Sequence, residues 1–296
     1  MLNKLEMLIA LAREEHFSRA ASSLGITQPS LSSGIRQLEG QLGVQLVRRG
    51  SRYGGLTREG ENALRWARRI VGDTRQLRDE MRSSRGGLAG DLRLAVIPTA
   101  LSFAARLAAR YGARHPNVRL TLLSRPASDI LRMLESHETD AGLTYIDGLT
   151  PGRLGTTPLY EESYRLVCRR GSAFAGRREL GWEELDGQRM CLLTPDMQNR
   201  RIIDGCFARA GVAPAAQIAS NSTLAMVALV ESGDWLTVLP GDIAEFLTKG
   251  RALTAVPLKT PRPGHDVGLV TLHRGPHTPV LEALLSCTRQ IGAAAR

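Results

Sequence analysis

Gln28, Pro29, Ser32, Ser33, Arg36 and Gln37 share one side of a helical wheel, while Leu31, Ile35, Leu38 and Leu42 recur at i, i+4, i+7 and i+11 on the other. The polar set combines short hydroxyls, amides and one guanidinium. Hydroxyls and amides can hydrogen-bond base edges or phosphates, and a guanidinium can reach a phosphate or a guanine. An ordinary helical hairpin with a solvated polar face would show the same pattern. The neighbouring elements must decide between the two.

Ser18 is a candidate N-cap for a short helix over residues 19–24, which Gly25 would end in the left-handed region. Thr27 caps a second helix, with Pro29 in its first turn, where the missing N–H costs nothing, and Gly43 ends it. Helix, tight turn, helix is the arrangement that lays its second helix in a DNA major groove. Residues 45–49 read as a short strand, 50–55 as a hairpin tip, and Leu56-Thr57 as the return. The product is a small basic wing, with Arg48, Arg49 and Arg52 placed to meet phosphates or enter a minor groove. Residues 2–13 form an amphipathic helix that would cover the back of this unit.

Five motifs then agree in order: FSRAA at 17–21, TQPSLS at 27–32, IRQLE at 35–39, LGVQL at 42–46 and LTREG at 56–60. Together they resemble the winged helix-turn-helix of LysR-type transcriptional regulators. The resemblance implies double-stranded operator DNA as partner, with contacts from Gln28, Pro29, Ser32 and the next position. That position is often Arg in the family and is Ser33 here. Ser18, Arg19, Thr27, Ser30 and Thr57 complete the residues expected at the DNA surface, beside Arg36 and the wing arginines.

The charge distribution is consistent with a polyanionic partner. The 296 residues carry a net charge of +10 with a pI near 10.2. Residues 1–90 hold 15 Lys/Arg against 9 Asp/Glu, and the remaining 206 hold 24 against 20, so the basicity concentrates in the first part. An apolar fraction of 43% with mixed charges indicates a soluble globular chain. The start lacks a basic segment followed by a long apolar run, and no stretch approaches a membrane span, so a cytoplasmic location with no membrane partner is expected. Cys168, Cys191, Cys206 and Cys287 are scattered, without CxxC or His pairing, so neither a zinc site nor a disulfide framework is indicated. No cofactor or metal is expected.

Residues 58–85 read as one helix of about 42 Å. Ala63, Ala67, Ile70, Thr74, Leu77 and Met81 follow an a/d spacing over nearly three heptads, flanked by charges. So narrow a stripe on so charged a helix favours pairing with another chain over packing within one domain. The resemblance implies the same: a homodimer through this linker helix, and a homotetramer built as a dimer of dimers. RNA polymerase would be a further partner of an activator.

Residues 83–87 read as a hinge, after which strand and helix alternate. Strands are expected at 92–97, 118–124 and 140–145, with helices at 101–114 and 128–136, the latter capped by Ser128. This βαβαβ order implies a parallel sheet. Further strands at 164–168, 189–193, 217–219, 235–239, 253–256 and 267–272, and helices at 197–210, 223–232, 242–247 and 279–291, imply a second α/β lobe. The chain would cross near 161–163 and return near 262–266. The expected architecture is thus an N-terminal all-α winged helix-turn-helix (1–57), a linker helix and hinge (58–87), and an α/β two-lobed domain (88–296). Lobe I would hold about 88–162 and 267–296, and lobe II about 163–266. The resemblance implies that this last part binds an effector and is similar to type 2 periplasmic solute-binding proteins.

Hydroxyls and helix starts are expected to meet at the cleft between the lobes: Pro98 and Thr99, Ser102, Ser128, Thr144 and Tyr145, Thr194 and Pro195, Asn221 and Ser222. Partial positive charge at helix N-termini would suit a small anion, most simply a carboxylate. A ligand-responsive regulator is the leading reading. The alternatives are an α/β enzyme with an appended DNA-binding domain, which lacks a nucleophile elbow, P-loop, dinucleotide fingerprint or metal cluster, and a redox sensor. Some members of the family sense peroxide through two cysteines, a role open to Cys191 and Cys206; burial of both thiols in an apolar core is the competing expectation.

Overall fold

A computed structural model describes residues 1–48, 53–149, 152, 154–214, 216–259, 264–272 and 277–294. The chain divides into two compact units, one built on Met1–Gly87 and one on Leu88–Leu134 with Thr139–Arg296.

In the first unit α1 (Leu2–Glu14) buries Leu5, Leu8, Ala10 and Leu11. Helix α2 (Phe17–Ser23) starts earlier than residue 19, because His16 and not Ser18 is its N-cap: His16 Nδ1 accepts from the Ser18 N–H at 3.2 Å. Helix α3 (Gln28–Leu42) begins at Thr27, whose Oγ1 accepts from Ser30 N, and ends at Gly43 with φ of 70°. Leu31, Ile35 and Leu38 are buried as their spacing requires, but Leu42 is 42% exposed. The last turn of α3 runs beyond the packed core, so the stripe stops at Leu38. Gly34 joins the buried face instead. A Cβ there would collide with the Met7 sulfur, so glycine lets α1 and α3 approach closely.

The wing is shorter than the expected strand over 45–49. One antiparallel bridge, Val47 with Leu56, joins its arms, flanked by Arg48 N–H to Gly55 O and Thr57 N–H to Leu46 O, both 3.0 Å. Its tip, with Arg49 and Arg52, lies outside the described residues. Helix α4 (Arg58–Gly86) spans 29 residues, about 43 Å at 1.5 Å each. Thr57 caps it through Gly60 N at 2.9 Å.

The second unit opens with β1 (Gly90–Val96), α5 (Leu101–Arg114), β2 (Val118–Ser124), α6 (Ala127–Glu135) and β3 (Ala141–Tyr145). These three strands are parallel, as the βαβαβ pattern requires. The sheet continues, however, with two antiparallel strands, β10 (His265–Leu272) beside β3 and β4 (Leu154–Glu162) at the edge. A strand containing Pro158 is tolerated at an edge, and the register shifts where Pro158 meets Gly268. From β4 the chain enters a second sheet at β5 (Tyr164–Arg169), flanked antiparallel by β8 (Thr237–Pro240) and β9 (Leu253–Pro257). Beside it β6 (Met190–Leu193) and β7 (Ala216–Ser220) pair in parallel. Helices α7 (Gln198–Arg209), α8 (Thr223–Ser232), α9 (Gly241–Thr248) and α10 (Pro279–Ala294) complete the unit. Met226, Val227 and Val230 of α8 join Val167, Cys191 and Leu239 in one core cluster.

Candidate nucleic-acid surface and interlobe cleft

Gln28, Pro29, Ser30, Arg36 and Gln37 are exposed on α3, with Ser32 and Ser33 half-buried beside them. The amides and hydroxyls are ordered in rows one turn apart: Gln28 Nε2 donates to Ser32 Oγ at 3.0 Å, and Gln37 Nε2 to Ser33 Oγ at 3.5 Å. Arg36 makes no ion pair among the described residues. Thr27 Oγ1 pairs with Ser30 Oγ at 2.8 Å while capping α3. Thr57 donates to Gln45 O at 2.6 Å and accepts from Gly60 N, so both hydroxyls of these caps are engaged within the fold. Ser18 and Arg19 are exposed, the guanidinium of Arg19 donating to Glu14 O at 2.7 Å. Arg48 is exposed, and its Nε donates to Leu56 O at 3.2 Å.

Two positioning contacts escape the sequence reading. Glu39 Oε1 accepts from the N–H groups of both Leu46 (2.8 Å) and Val47 (3.2 Å), which ties the last turns of α3 to the wing. Phe17 meets Tyr53 edge-on at 6.4 Å, which ties α2 to the returning arm. No motif search would single out Glu39, whose partners are backbone groups seven and eight residues on.

On α4 the expected seam divides. Ala67 is fully buried, with Leu64 and Val71, inside its own unit, and Ala63 packs against the same core. Ala67 is therefore closed to another chain, while Ala63 is partly exposed. The apolar side chains left in solvent are Trp66 (60% exposed), Ile70 (41%), Leu77 and Met81 (both 57%), the last three at a/d spacing with Trp66 one turn before Ile70. Thr74 lies among them, its hydroxyl donating to Ile70 O. From Ile70 onward the stripe is the one read in sequence; before it, the first four turns of α4 also close the core beneath α1 and take up Ala67, with Leu64 and Val71.

In the second unit Ile97, Pro98, Thr99, Pro126, Ala127 and Tyr145 face Leu193, Met197, Gln198 and Asn199 across a cleft between the two sheets' layers. Its free space is about 10 Å³, room for one water molecule. Of the ten residues expected there, Pro98, Thr99 and Tyr145 line it. The others do not. Ser102 donates to Asp242 on α9, whose other oxygen takes the Arg106 guanidinium at 2.6 Å, so this hydroxyl joins α5 to α9. Ser128 is exposed inside the first turn of α6, which begins directly after Pro126, so it caps nothing. Thr144 points to the opposite face of β3 from Tyr145 by strand alternation. Thr194 packs before α7, and Pro195 and Asn221 are exposed. Ser222 caps α8 through Ala225 N at 3.3 Å. The α8 N-terminus does not reach the cavity, because α8 packs on β5, β6 and β8.

What the sequence reading missed is a carboxyl where β4 passes to β5. Glu162 is buried, and Tyr145 Oη (2.9 Å) and Tyr164 Oη (3.1 Å) both donate to its Oε2. Asn199 Nδ2 in turn donates to Tyr145 Oη at 3.0 Å. Burial pushes the carboxyl from 4.5 up to about 7, against the lowering effect of its hydrogen bonds. Burial likewise pushes both phenols well above their ordinary range. Only the order of elements in space brings these four side chains together.

All four cysteines are free and buried. Burial pushes the Cys191 thiol up to about 11, and its Sγ donates to the Met226 and Leu236 carbonyls. The Cys206 thiol is also raised by burial, although Arg209 opposes this. Among the described residues no group of three or more His, Cys, Asp or Glu could hold a metal, and no helix is long and apolar enough to cross a membrane.

Comparison with known proteins agrees with both regions. Residues 2–61 match the bacterial regulatory helix-turn-helix model of the lysR family, and residues 85–292 match the LysR substrate binding domain. The HTH-type regulator YbhD of Escherichia coli is 27% identical over 270 residues, covering 91% of this chain and 84% of that protein. A probable hydrogen peroxide-inducible genes activator of Mycobacterium avium is 29% identical over 269 residues, 90% of this chain and 86% of its own. Among solved structures, a full-length point variant of OxyR from Pseudomonas aeruginosa superposes with a TM-score of 0.76 at 22% identity, over 98% of this chain and 94% of that one. Full-length CbnR in complex with its target DNA superposes at 0.71 and 20% identity, over 98% and 99%. With a recognition helix and wing in one unit, a two-lobed domain in the other and a family match across most of its length, the chain belongs to the LysR family of DNA-binding transcriptional regulators.

Proposed function

We propose that this regulator reads its operator with α3 and answers to a small molecule held between the lobes. The observation that carries the first part is the ordered polar face of α3. Gln28, Ser32, Ser33 and Arg36 present donors and acceptors beside Pro29, and Glu39 ties Leu46 and Val47 of the wing to the same helix, with Arg48, Arg49 and Arg52 as the proposed phosphate contacts. In this reading residues 1–57 bind DNA, 58–87 pair chains and 88–296 bind the effector, with lobes at about 88–162 plus 267–296 and at 163–266. Trp66, Ile70, Leu77 and Met81 form the seam of a homodimer, two dimers assemble into a tetramer, and RNA polymerase is the further partner if the protein activates.

Two experiments test it. A footprint on the DNA upstream of its own gene should shift when the right metabolite is added; a protein that turns over that metabolite without any change of footprint would favour the enzyme alternative. Replacing Ile70 and Leu77 together with Asp should halve the mass of the assembly in sedimentation and weaken operator binding by at least tenfold, since paired half-sites need paired readers. Unchanged mass and affinity would assign the stripe to another role. The peroxide-inducible names of some relatives suggest a redox sensor, but sensing thiols are exposed with lowered pKa, the opposite of Cys191 and Cys206.

A further inference from the structure

Two residues that line the cleft carry a buried polar atom with no protein partner, Asn199 Oδ1 and Thr99 Oγ1, and Glu162 Oε1, behind Tyr145, is a third. Their residues are 3%, 2% and 1% exposed. Such groups are rare in folded proteins and each costs stability, so two on the wall of one cavity with a third close behind it point to something that satisfies them. Their polarity can be read from the network. Tyr145 Oη donates to Glu162 and so must accept from Asn199 Nδ2, which leaves Asn199 Oδ1 as an acceptor. Both phenols donate to Glu162 Oε2, which leaves lone pairs on Oε1. The Thr99 hydroxyl can act either way. Among the described residues no Lys, Arg or His lines the cavity. The Glu162 carboxyl stands one tyrosine away from its wall.

We propose that the cleft takes a small hydrogen-bond donor of the primary ammonium class, held by Asn199 Oδ1 and Thr99 Oγ1 with Glu162 as counter-charge. This rests on the reading of the cleft as the effector site, and it replaces the carboxylate expected from helix N-termini. A carboxylate would face the Asn199 carbonyl oxygen and the Glu162 charge with no lining cation to offset them. An ammonium group brings three donors and no acceptor.

The test is thermal unfolding of the full chain at pH 8, where Glu162 is ionised. Ammonium chloride, a donor-only ion close to water in size, is compared with sodium formate and with sodium chloride at equal ionic strength. Ammonium should raise the unfolding temperature by roughly 2–4 °C over sodium chloride, and formate should not. Glu162→Gln and Asn199→Ala should each remove the ammonium shift; if Asn199→Ala does not unfold cooperatively, Thr99→Val takes its place. A shift with formate alone, no shift with either ion, or an ammonium shift that survives Glu162→Gln and Asn199→Ala would overturn the proposal. Ala127→Leu, which fills the cavity, separates the two readings. A formate shift that this variant abolishes keeps the cleft as the site and changes only the ligand class. A shift of either ion that persists in it places the ligand elsewhere, and the cleft reading falls.

Discussion

On α3 the polar side chains stand at the surface and hydrogen-bond to one another along the helix; at the cleft and just behind its wall they are buried, and three polar atoms have no protein partner. The first arrangement is local. Its rows run from i to i+4, and every residue in it lies within one helix. The second draws on β3, the turn before α5, the end of β4, β5 and α7, from Thr99 to Asn199 in sequence. A surface that meets DNA can be wet before binding, because water satisfies it in the free state. A cleft that closes over a small molecule keeps its polar groups dry, so their cost persists as unpartnered atoms and a displaced pKa.

The contrast can be broken at its exposed side first. Ser33→Glu sets a carboxylate on the face proposed to meet phosphates, and specific operator binding should fall by several kcal/mol, more than a hundredfold, by quantitative footprinting. Undiminished affinity would remove Ser33 from the DNA interface.

At the buried side, the Glu162 carboxyl ionises near 4.5 when unfolded and near 7 when folded. The folded state therefore holds the proton longer. Stability from this group is lost as pH rises from about 4.5 through 7 and is level above that. Tyr145, Tyr164 and Asn199 hydrogen-bond to the carboxyl or its partner, and the charge of Asp147 adds to the upward shift. A glutamine does not titrate, so the stability of Glu162→Gln relative to the parent should improve by about 3 kcal/mol between pH 4.5 and pH 8 in denaturant unfolding. A flat difference would mean that the carboxyl is hydrated in solution.

The smallest effect belongs to the link between helix and wing. Glu39→Gln keeps an acceptor oxygen but removes the charge that strengthens both bonds to Leu46 and Val47. A loss of about 1–2 kcal/mol in unfolding is expected, with operator affinity falling in step. A stability loss without any loss of affinity would separate the wing from DNA reading.

The uneven legibility of the two regions has physical causes. Periodicity and caps act over one or two turns, so the limits of α5, β2 and α8 follow directly from residues 101–114, 118–124 and 223–232. They mislead where a neighbour supplies the same function: His16 takes the cap expected of Ser18, and Pro126 starts α6 before Ser128 can. Strand β4 gives no clear sequence signal, since Pro158 interrupts it and its end falls on the crossing expected near 161–163, and only its edge position makes the proline acceptable. On α4 the spacing finds Ile70, Leu77 and Met81, which stay exposed, but it also takes in Ala67, and only packing beneath α1 shows that this residue belongs to the core. Ser102 and Ser222 sit at helix starts as expected, yet one reaches across to Asp242 and the other serves its own helix. Glu162 has no local signature at all.

The Glu39 contact also bears on time. The amide protons of Leu46 and Val47 are held by a side chain and not by a strand partner, so they can exchange with solvent only when that carboxylate lets go. Their neighbour Arg48 donates instead to Gly55 O across the wing. Exchange at residues 46 and 47 should therefore keep pace with opening of the last turns of α3, while exchange at residue 48 follows the hairpin, giving two clocks on three consecutive amides.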